Sequence, residues 1–291
     1  MTTFEFYRFR FHFRAIDAVR FPAEKAGNVI RGALGAVLHD TASPEAYARL
    51  FEPGAALGDA PSGLADWPRP FILRAAHLDG RTLSAGGVFH FDVHVFDLRA
   101  PALSYFRAAF AQLAGTGLGP LRGRVSLERV EQLDLADGAA TVADRHGGAS
   151  VIGLDPDPTP VARVRVRFLT PTELKSEGAV AKRPEFPILF GRLRDRIGTL
   201  RALYGAGPLE IDYRAMGRRA AAIRLSQCKL TWEGTVRRSA RTSQLHPLGG
   251  FTGEAEYEGP LGEFLPWLRA ARWIGVGRQT VWGKGDVRVI E

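Results

Sequence analysis

Four glycines near the C-terminus have a spacing that suits contact with a phosphate backbone. They form the pattern GxGxxxxxGxG and are Gly275, Gly277, Gly283 and Gly285. Glycine permits positive φ angles and lets a phosphate approach the main chain closely, and Arg278 and Lys284 add positive charge. The segment lacks the GKS or GKT ending of a nucleotide-binding P-loop and leads into a strand, which argues against binding of ATP or NAD. The alternative is a turn that only joins a helix to a strand.

The charge balance favours a polyanionic partner. The formal net charge is +8, the sequence pI is about 10.0, and nearly all of the 39 basic residues are arginine. Arginine presents a planar fork to phosphates and stacks on bases, so nucleic acid is the expected partner. An arginine-rich composition that only reflects genome base composition is the alternative.

Neither a metal nor another cofactor is expected. Cys228 is the only cysteine, which excludes an intramolecular disulfide and a zinc site built from cysteines. His90, Asp92 and His94 alternate on one strand with acceptable metal-ligand spacing, but no clear third or fourth ligand accompanies them. No apolar run approaches the roughly 20 residues of a membrane span, so no membrane association and a cytoplasmic location are expected.

The sequence pattern predicts two copies of one unit, each with the element order βαββαβ. The first copy opens on a strand whose alternate side chains are Phe9, Phe11 and Phe13, followed by a helical pattern at 23–39. Strands are predicted at 71–77, 88–96 and 124–133, and a helix at 101–114. The second copy has predicted strands at about 163–168, 221–232, 250–257 and 286–290, and helices at 186–204 and 261–272.

The predicted fold class is therefore α+β, with two tandem ferredoxin-like (RRM-like) domains whose central strands carry a basic face. The predicted domains are 1–135 and 161–291, and the Gly-, Asp- and Pro-rich residues 136–160 form a linker or a hairpin. Both halves place a glycine loop between the last helix and the last strand, at 117–123 and 275–285.

Three ordered motifs in the second half resemble those of the CRISPR precursor-RNA processing endoribonucleases, which belong to the RAMP superfamily. The motifs are the run Arg238–Gln244, the segment Gly249–Gly259 with Phe264–Leu268 after it, and the glycine-rich segment 275–285. The resemblance is strongest over 161–290 and weaker in the first half, where Gly27–Gly35 and Gly117–Arg124 look like RAMP elements. That family is built from tandem ferredoxin-like domains.

The resemblance implies metal-independent cleavage of RNA by its own 2′-hydroxyl, which gives 2′,3′-cyclic phosphate and 5′-hydroxyl ends. Histidine suits either proton-transfer role and Lys or Arg suits the charged phosphorane. His39, near the end of the first helix, matches the general acid/base histidine of many family members. Lys25 is the candidate cation at the scissile phosphate, and His246, after the basic motif, is the second candidate histidine.

The expected RNA contacts come from the first helix, the basic run and the glycine-rich segment: Arg31, Arg238, Arg241, Gly275, Gly277, Arg278, Gly283, Lys284 and Gly285. The expected partners are CRISPR repeat RNA, as precursor and as mature guide, and proteins of an effector complex. The alternative function is a non-catalytic RAMP subunit that holds guide RNA in such a complex.

Overall fold

In a computed structural model of the chain, the N-terminal half folds around one long strand, β1 (Thr3–Ala15). The structure describes residues 1–54, 67–142, 146–234, 236–238, 245–247 and 249–290. The predicted alternation along β1 is confirmed, because Phe9, Phe11 and Phe13 are fully buried on one face. Arg10 and His12 lie on the opposite face, which stays partly accessible.

Antiparallel pairing arranges the first sheet in the order β3-β5-β1-β6-β7, and β8 pairs with the start of β1. A separate short ladder joins β2 to β4. The strands are β2 (Val19–Arg20), β3 (Phe71–Arg74), β4 (Thr82–Leu83), β5 (Val88–Val95), β6 (Val125–Leu133), β7 (Ala139–Thr141) and β8 (Ser150–Gly153). Both β7 and β8 lie within the predicted linker or hairpin at 136–160.

Among the described residues, the helices that cover the phenylalanine face of this sheet or adjoin it are α1 (Ala26–Thr41), α2 (Pro44–Phe51), α3 (Leu103–Ala111) and α4 (Leu113–Thr116). The sequence patterns predicted α1 and α3 but not α2. The short helix α2 begins as helices commonly do, because the Ser43 hydroxyl accepts a hydrogen bond from the Ala46 amide and Pro44 fills the first turn.

The second half repeats the arrangement with the sheet order β12-β15-β9-β16. Its strands are β9 (Arg163–Thr172), β10 (Lys175–Ser176), β11 (Ala179–Val180), β12 (Arg224–Glu233), β13 (Val236–Arg238), β14 (Leu245–Pro247), β15 (Gly250–Glu258) and β16 (Val287–Ile290). Its helices are α5 (Phe186–Tyr204), α6 (Tyr213–Ala220) and α7 (Leu265–Ile274). Both main sheets thus have the strand order of a ferredoxin-like unit, which confirms the predicted α+β fold class.

Each half contributes side chains to the core of the other. Phe4 and Phe6, at the start of β1, are buried in the core of the C-terminal half. In return Val281, from the glycine-rich segment, is buried in the core of the N-terminal half. The two sheets are therefore joined by apolar packing in both directions.

None of the helices in the described part of the chain combines the length and the apolar character that a membrane crossing requires.

Candidate active site and nucleic-acid interface

His39 lies in the last turn of α1 with 68% of its side chain exposed. Its Nδ1 is 3.0 Å from Oδ1 of Asp40, and a carboxylate in that position orients an imidazole. The ring of Tyr47, on α2, meets the His39 ring edge-on at 5.3 Å. The imidazole is therefore accessible, and both a carboxylate and a phenol lie beside it.

A continuous row of side chains connects His39 to the glycine-rich segment. Tyr47 stacks on Phe51 with ring centroids 5.1 Å apart. The guanidinium of Arg31 lies 5.1 Å from the Phe51 ring and 5.4 Å from the ring of Trp282. Arg31, predicted as an RNA contact, is thus part of one surface with His39.

Lys25 lies at the opposite end of α1 from His39. It precedes the first helical residue, Ala26, so fourteen residues, or about 21 Å of helix axis, separate it from His39. Lys25 instead neighbours the glycine-rich segment, where the Nζ of Lys284 donates to the Glu24 carbonyl at 3.4 Å. The structure therefore does not bring Lys25 and His39 to one phosphate.

Lys284 is only 5% exposed, and burial lowers its pKa. The carboxylates of Glu24 and Asp79 oppose that shift. Asp79 also accepts a hydrogen bond from the Ala26 amide at 2.7 Å, so a protein carboxylate occupies the N-terminus of α1. The ammonium group of Lys284 consequently faces the protein interior beside the start of α1.

All four glycines of the 275–285 segment have positive φ, between 70° and 82°. A Cβ on Gly277 would overlap the carbonyl oxygen of Glu173, and one on Gly285 would overlap that of Val276. Gly27 of α1 is equally close to the Trp282 carbonyl. Close packing of protein backbone therefore already requires glycine at these positions, whether or not RNA approaches them.

Three side chains bind the C-terminal carbonyls of α7, from which the glycine-rich segment starts. Arg74 donates to the Arg272 carbonyl at 3.0 Å, and Arg196 donates to that of Ile274 at 3.1 Å. Nδ1 of His94 donates to the Trp273 carbonyl at 2.7 Å. Cations and donors are favourable at a helix C-terminus, and two of these three come from the N-terminal half.

His94 is therefore used structurally. It is buried, and burial followed by the nearby Arg74 charge holds its pKa well below the ordinary histidine value. Across the described residues, no three His, Cys, Asp or Glu side chains come together as a metal ion would need.

The remaining predicted RNA contacts are dispersed. Arg278 bonds Glu173 at 2.6 Å beside the glycine-rich segment. Arg238 and His246 lie on the paired strands β13 and β14, where His246 is opposite Arg237. Arg241 is outside the described residues. The strands β13 and β14 form a ladder of their own, separate from the four-stranded sheet.

The arginines predicted on the sheet faces are present, but carboxylates on the neighbouring strand pair with them. In the second sheet the pairs are Arg163–Glu258 at 2.7 Å, Arg165–Glu256 at 3.3 Å and Arg167–Glu254 at 2.5 Å. The first sheet has the pairs Arg10–Asp92 at 2.7 Å and Arg14–Glu128 at 3.6 Å. Alternation within one strand cannot reveal the charge on the strand beside it.

Two family models together span most of the chain. Residues 166–287 match the model of the CRISPR-associated endoribonuclease Cas6, and residues 4–152 match a model described as an N-terminal domain. Residues 166–287, in the C-terminal half, are therefore similar to the Cas6 CRISPR-associated endoribonucleases. This region coincides with the part of the chain whose sequence motifs resemble those of the CRISPR precursor-RNA processing endoribonucleases.

Solved structures of Cas6 proteins share this fold over nearly the whole chain. A product complex of the Cas6 TTHB231, from Thermus thermophilus, has a TM-score of 0.61 and 21% identity over 98% of this chain and 99% of that one. A product complex of the Cas6 TTHA0078 has a TM-score of 0.55 and 18% identity over 98% and 100%. No curated protein sequence matches the chain.

A third similar structure is part of a longer protein. In a partial Cas6-RT-Cas1–Cas2 complex, 98% of this chain aligns with 46% of the other chain, with a TM-score of 0.60 and 12% identity. At these identities the similarity shows a shared fold and does not by itself assign the site residues.

The sequence patterns missed the immediate surroundings of His39. Tyr47 contacts His39 from a helix that the apolar spacing did not predict. The Ser43-Pro44 pair was the available signal, because a serine followed by proline is a common helix start. Asp40 was visible in the sequence, but only the side-chain geometry shows that it bonds the His39 ring.

Proposed function

We propose that this protein is a Cas6-type endoribonuclease, which cleaves CRISPR precursor RNA within its repeats without a metal ion. A base removes the proton of the 2′-hydroxyl, and the 2′-oxygen then attacks the adjacent phosphorus. The bond from phosphorus to the 5′-oxygen breaks, and an acid donates a proton to that leaving oxygen. The products are a 2′,3′-cyclic phosphate and a 5′-hydroxyl, and the upstream product contains the cyclic end.

The geometry of His39 carries this proposal. The accessible imidazole bonds the Asp40 carboxylate through Nδ1, which leaves Nε2 to exchange a proton with a bound phosphate ester. It also stands at one end of the row that runs through Phe51 and Arg31 to Trp282. Histidine in this role typically accelerates a reaction about 10²- to 10⁴-fold.

The row also supplies a path for the RNA along α1. Tyr47 and Trp282 offer rings for bases, and Arg31 offers a cation for the backbone between them. Lys25 is about 21 Å from His39 along the helix axis, so we assign it to the RNA backbone beside the glycine-rich segment. Arg278, together with the predicted contacts Arg238, Arg241 and His246, would extend the RNA contact in the second half.

The proposed partners follow from the proposed cleavage reaction. Repeat RNA is the substrate, and the mature guide RNA is the product, which the protein then either releases or keeps bound. The similar structures described as product complexes, and as a Cas6-RT-Cas1–Cas2 complex, support RNA and CRISPR proteins as partners of this chain too.

The chemistry is tested with purified protein and the repeat RNA of the host array, in buffer containing EDTA. Cleavage that leaves a cyclic phosphate is expected, and a 2′-deoxy substitution at the scissile nucleotide should abolish it. Cleavage that requires added metal, or that survives the 2′-deoxy substitution, contradicts the mechanism. Tight binding of the repeat with no cleavage under any condition favours the non-catalytic RAMP subunit.

The site is tested with His39→Ala, which we expect to slow cleavage at saturating RNA about 10²- to 10⁴-fold while the RNA affinity changes little. His146→Ala is the matched control, since His146 packs on the Tyr7 ring, away from this surface. A His39→Ala protein that cuts at the wild-type rate removes His39 from the active site and makes His246 the next residue to replace.

A further inference from the structure

Three imidazole rings form a second row, on the face of the first sheet that α1 and α3 do not cover. The rings of His12 and His90 have centroids 5.7 Å apart, and the rings of His90 and His77 are stacked at 4.8 Å. His12 is on β1, His90 is directly opposite it on β5, and His77 is in the 3₁₀ turn Ala76–Leu78. The histidines thus line up across neighbouring elements.

Only part of this sheet face is covered by the C-terminal half. Phe4 and Phe6, at the start of β1, are buried against it, and Arg8 lies 4.2 Å from the Trp273 ring. The end of β1 that bears His12 extends past this contact. There Arg14 is exposed, and Val88, its partner on β5, is 64% exposed.

Hydrogen bonds within the protein hold these rings in place. Nε2 of His77 donates to the His90 carbonyl at 2.8 Å, so in the neutral ring its Nδ1 is an acceptor. Nε2 of His12 is 2.7 Å from Oε2 of Glu131, on β6. The imidazole planes are therefore fixed before any ligand arrives, which lowers the entropic cost of binding.

The charged groups around the row largely compensate one another. Asp92 pairs with Arg10, Glu128 with Arg14, and Glu131 with Arg129, while His12 also faces Glu131. Burial, then the Arg10 charge and His77, lowers the pKa of His90. The carboxylates beside the row are thus already paired and the rings are flat, which favours stacking over binding of a lone phosphate.

We propose that the row of His12, His90 and His77 binds unpaired bases of single-stranded RNA by stacking. Ferredoxin-like RNA-binding sheets carry their stacking rings on the central strands, and β1 and β5 are central strands of this sheet. Because α1 and His39 lie on the other side of the sheet, the row is a separate site from the proposed cleavage site. The inference rests on the proposed function in one respect: the ligand is a single-stranded part of the same RNA.

The probe is a short fluorescently labelled oligoadenylate, whose affinity is measured by anisotropy. We expect His90→Ala to weaken binding about 5- to 150-fold, the range that loss of one stacked base gives. His12→Ala with His90→Ala should weaken it further. His90→Phe should restore most of the affinity, because a phenyl ring stacks without titrating, and His146→Ala is the control that should bind as the wild type does.

If the wild type and the double variant bind oligoadenylate with equal affinity, the proposal that the row binds bases is wrong, whether or not the protein cleaves repeat RNA. Loss of affinity in both His90→Ala and His90→Phe also overturns it, because a stacking role predicts rescue. If the alanine variants lose affinity for oligoadenylate and His90→Phe restores it, the result supports stacking on the row. If the wild type nevertheless cleaves no RNA, only the proposed function fails. If circular dichroism shows that His90→Ala unfolds, His77→Ala replaces it, since His77 is exposed outside the strands.

Discussion

Gly285→Ala tests whether protein packing or RNA binding is the reason that the glycine-rich segment needs glycine at this position. Gly285 has φ +70°, and an added Cβ would lie 3.1 Å from the Val276 amide nitrogen and still closer to its carbonyl oxygen. The Val276 amide also donates to the Gly285 carbonyl at 3.0 Å. The methyl group would therefore push apart two backbone segments that are hydrogen-bonded to each other.

The expected loss of stability follows from two contributions. A non-glycine residue in the left-handed region costs roughly 1–2 kcal/mol. Loss of the Val276–Gly285 hydrogen bond costs about 1 kcal/mol more. The free energy of unfolding should thus fall by about 2–3 kcal/mol, which is a large part of the stability of an ordinary domain.

Urea denaturation followed by tryptophan fluorescence measures this change, since Trp282 and Trp273 adjoin the segment. Gly32→Ala is the matched control, because Gly32 is an exposed residue of α1 and a Cβ there meets nothing within 4 Å. Alanine is the better helix former, so the control should gain about 0.5–1 kcal/mol. The same substitution is thus expected to have opposite signs at the two sites.

A Gly285→Ala protein as stable as the wild type would refute the packing argument. If that stable variant also lost its affinity for repeat RNA, the glycine would serve the approach of the RNA backbone instead. A destabilised Gly32→Ala protein would show that the control itself is flawed.

Two further predictions concern stability. Arg8 holds the pKa of Asp137 below its ordinary value, so this pair stabilises the fold above about pH 4, and the contribution is lost as pH falls through the lowered pKa. Asp137→Asn should therefore cost less than about 1 kcal/mol at neutral pH, and its acid denaturation curve should meet that of the wild type at low pH. The buried Tyr257 hydroxyl donates to the Pro184 carbonyl at 2.8 Å, and Tyr257→Phe should cost about 1–2 kcal/mol by thermal denaturation. Tyr105→Phe, at an exposed position, should change stability little, and equal costs at both tyrosines would contradict the second prediction.

The main elements of the fold could be predicted because their patterns are local. Phe9, Phe11 and Phe13 alternate with polar residues, and the predicted helix 186–204 coincides with α5. Helices α2 and α6 were missed because each has only eight residues, and apolar periodicity is weak over two turns. Their polar starts, at Ser43 and Asp212, were the more informative signals.

The site was harder to predict because it depends on contacts between distant segments. The sequence motifs indicated His39 and the glycine-rich segment, but nothing local shows that Arg31 joins them through Phe51 and Trp282. Lys25 was grouped with His39 because both belong to one helix, and the length of that helix separates them. The second histidine row was hidden for the same reason: His77, His90 and His12 come from three separate parts of the chain.

The exchange of apolar side chains between the halves bears on how the protein is made. The core of the N-terminal half contains Val281, which is synthesised after almost all of the C-terminal half. The core of the C-terminal half contains Phe4 and Phe6, which are synthesised more than 150 residues before Val164 on β9, another residue of that core. Neither half can therefore complete its core from its own segment alone, and we expect the two cores to reach their final packing together.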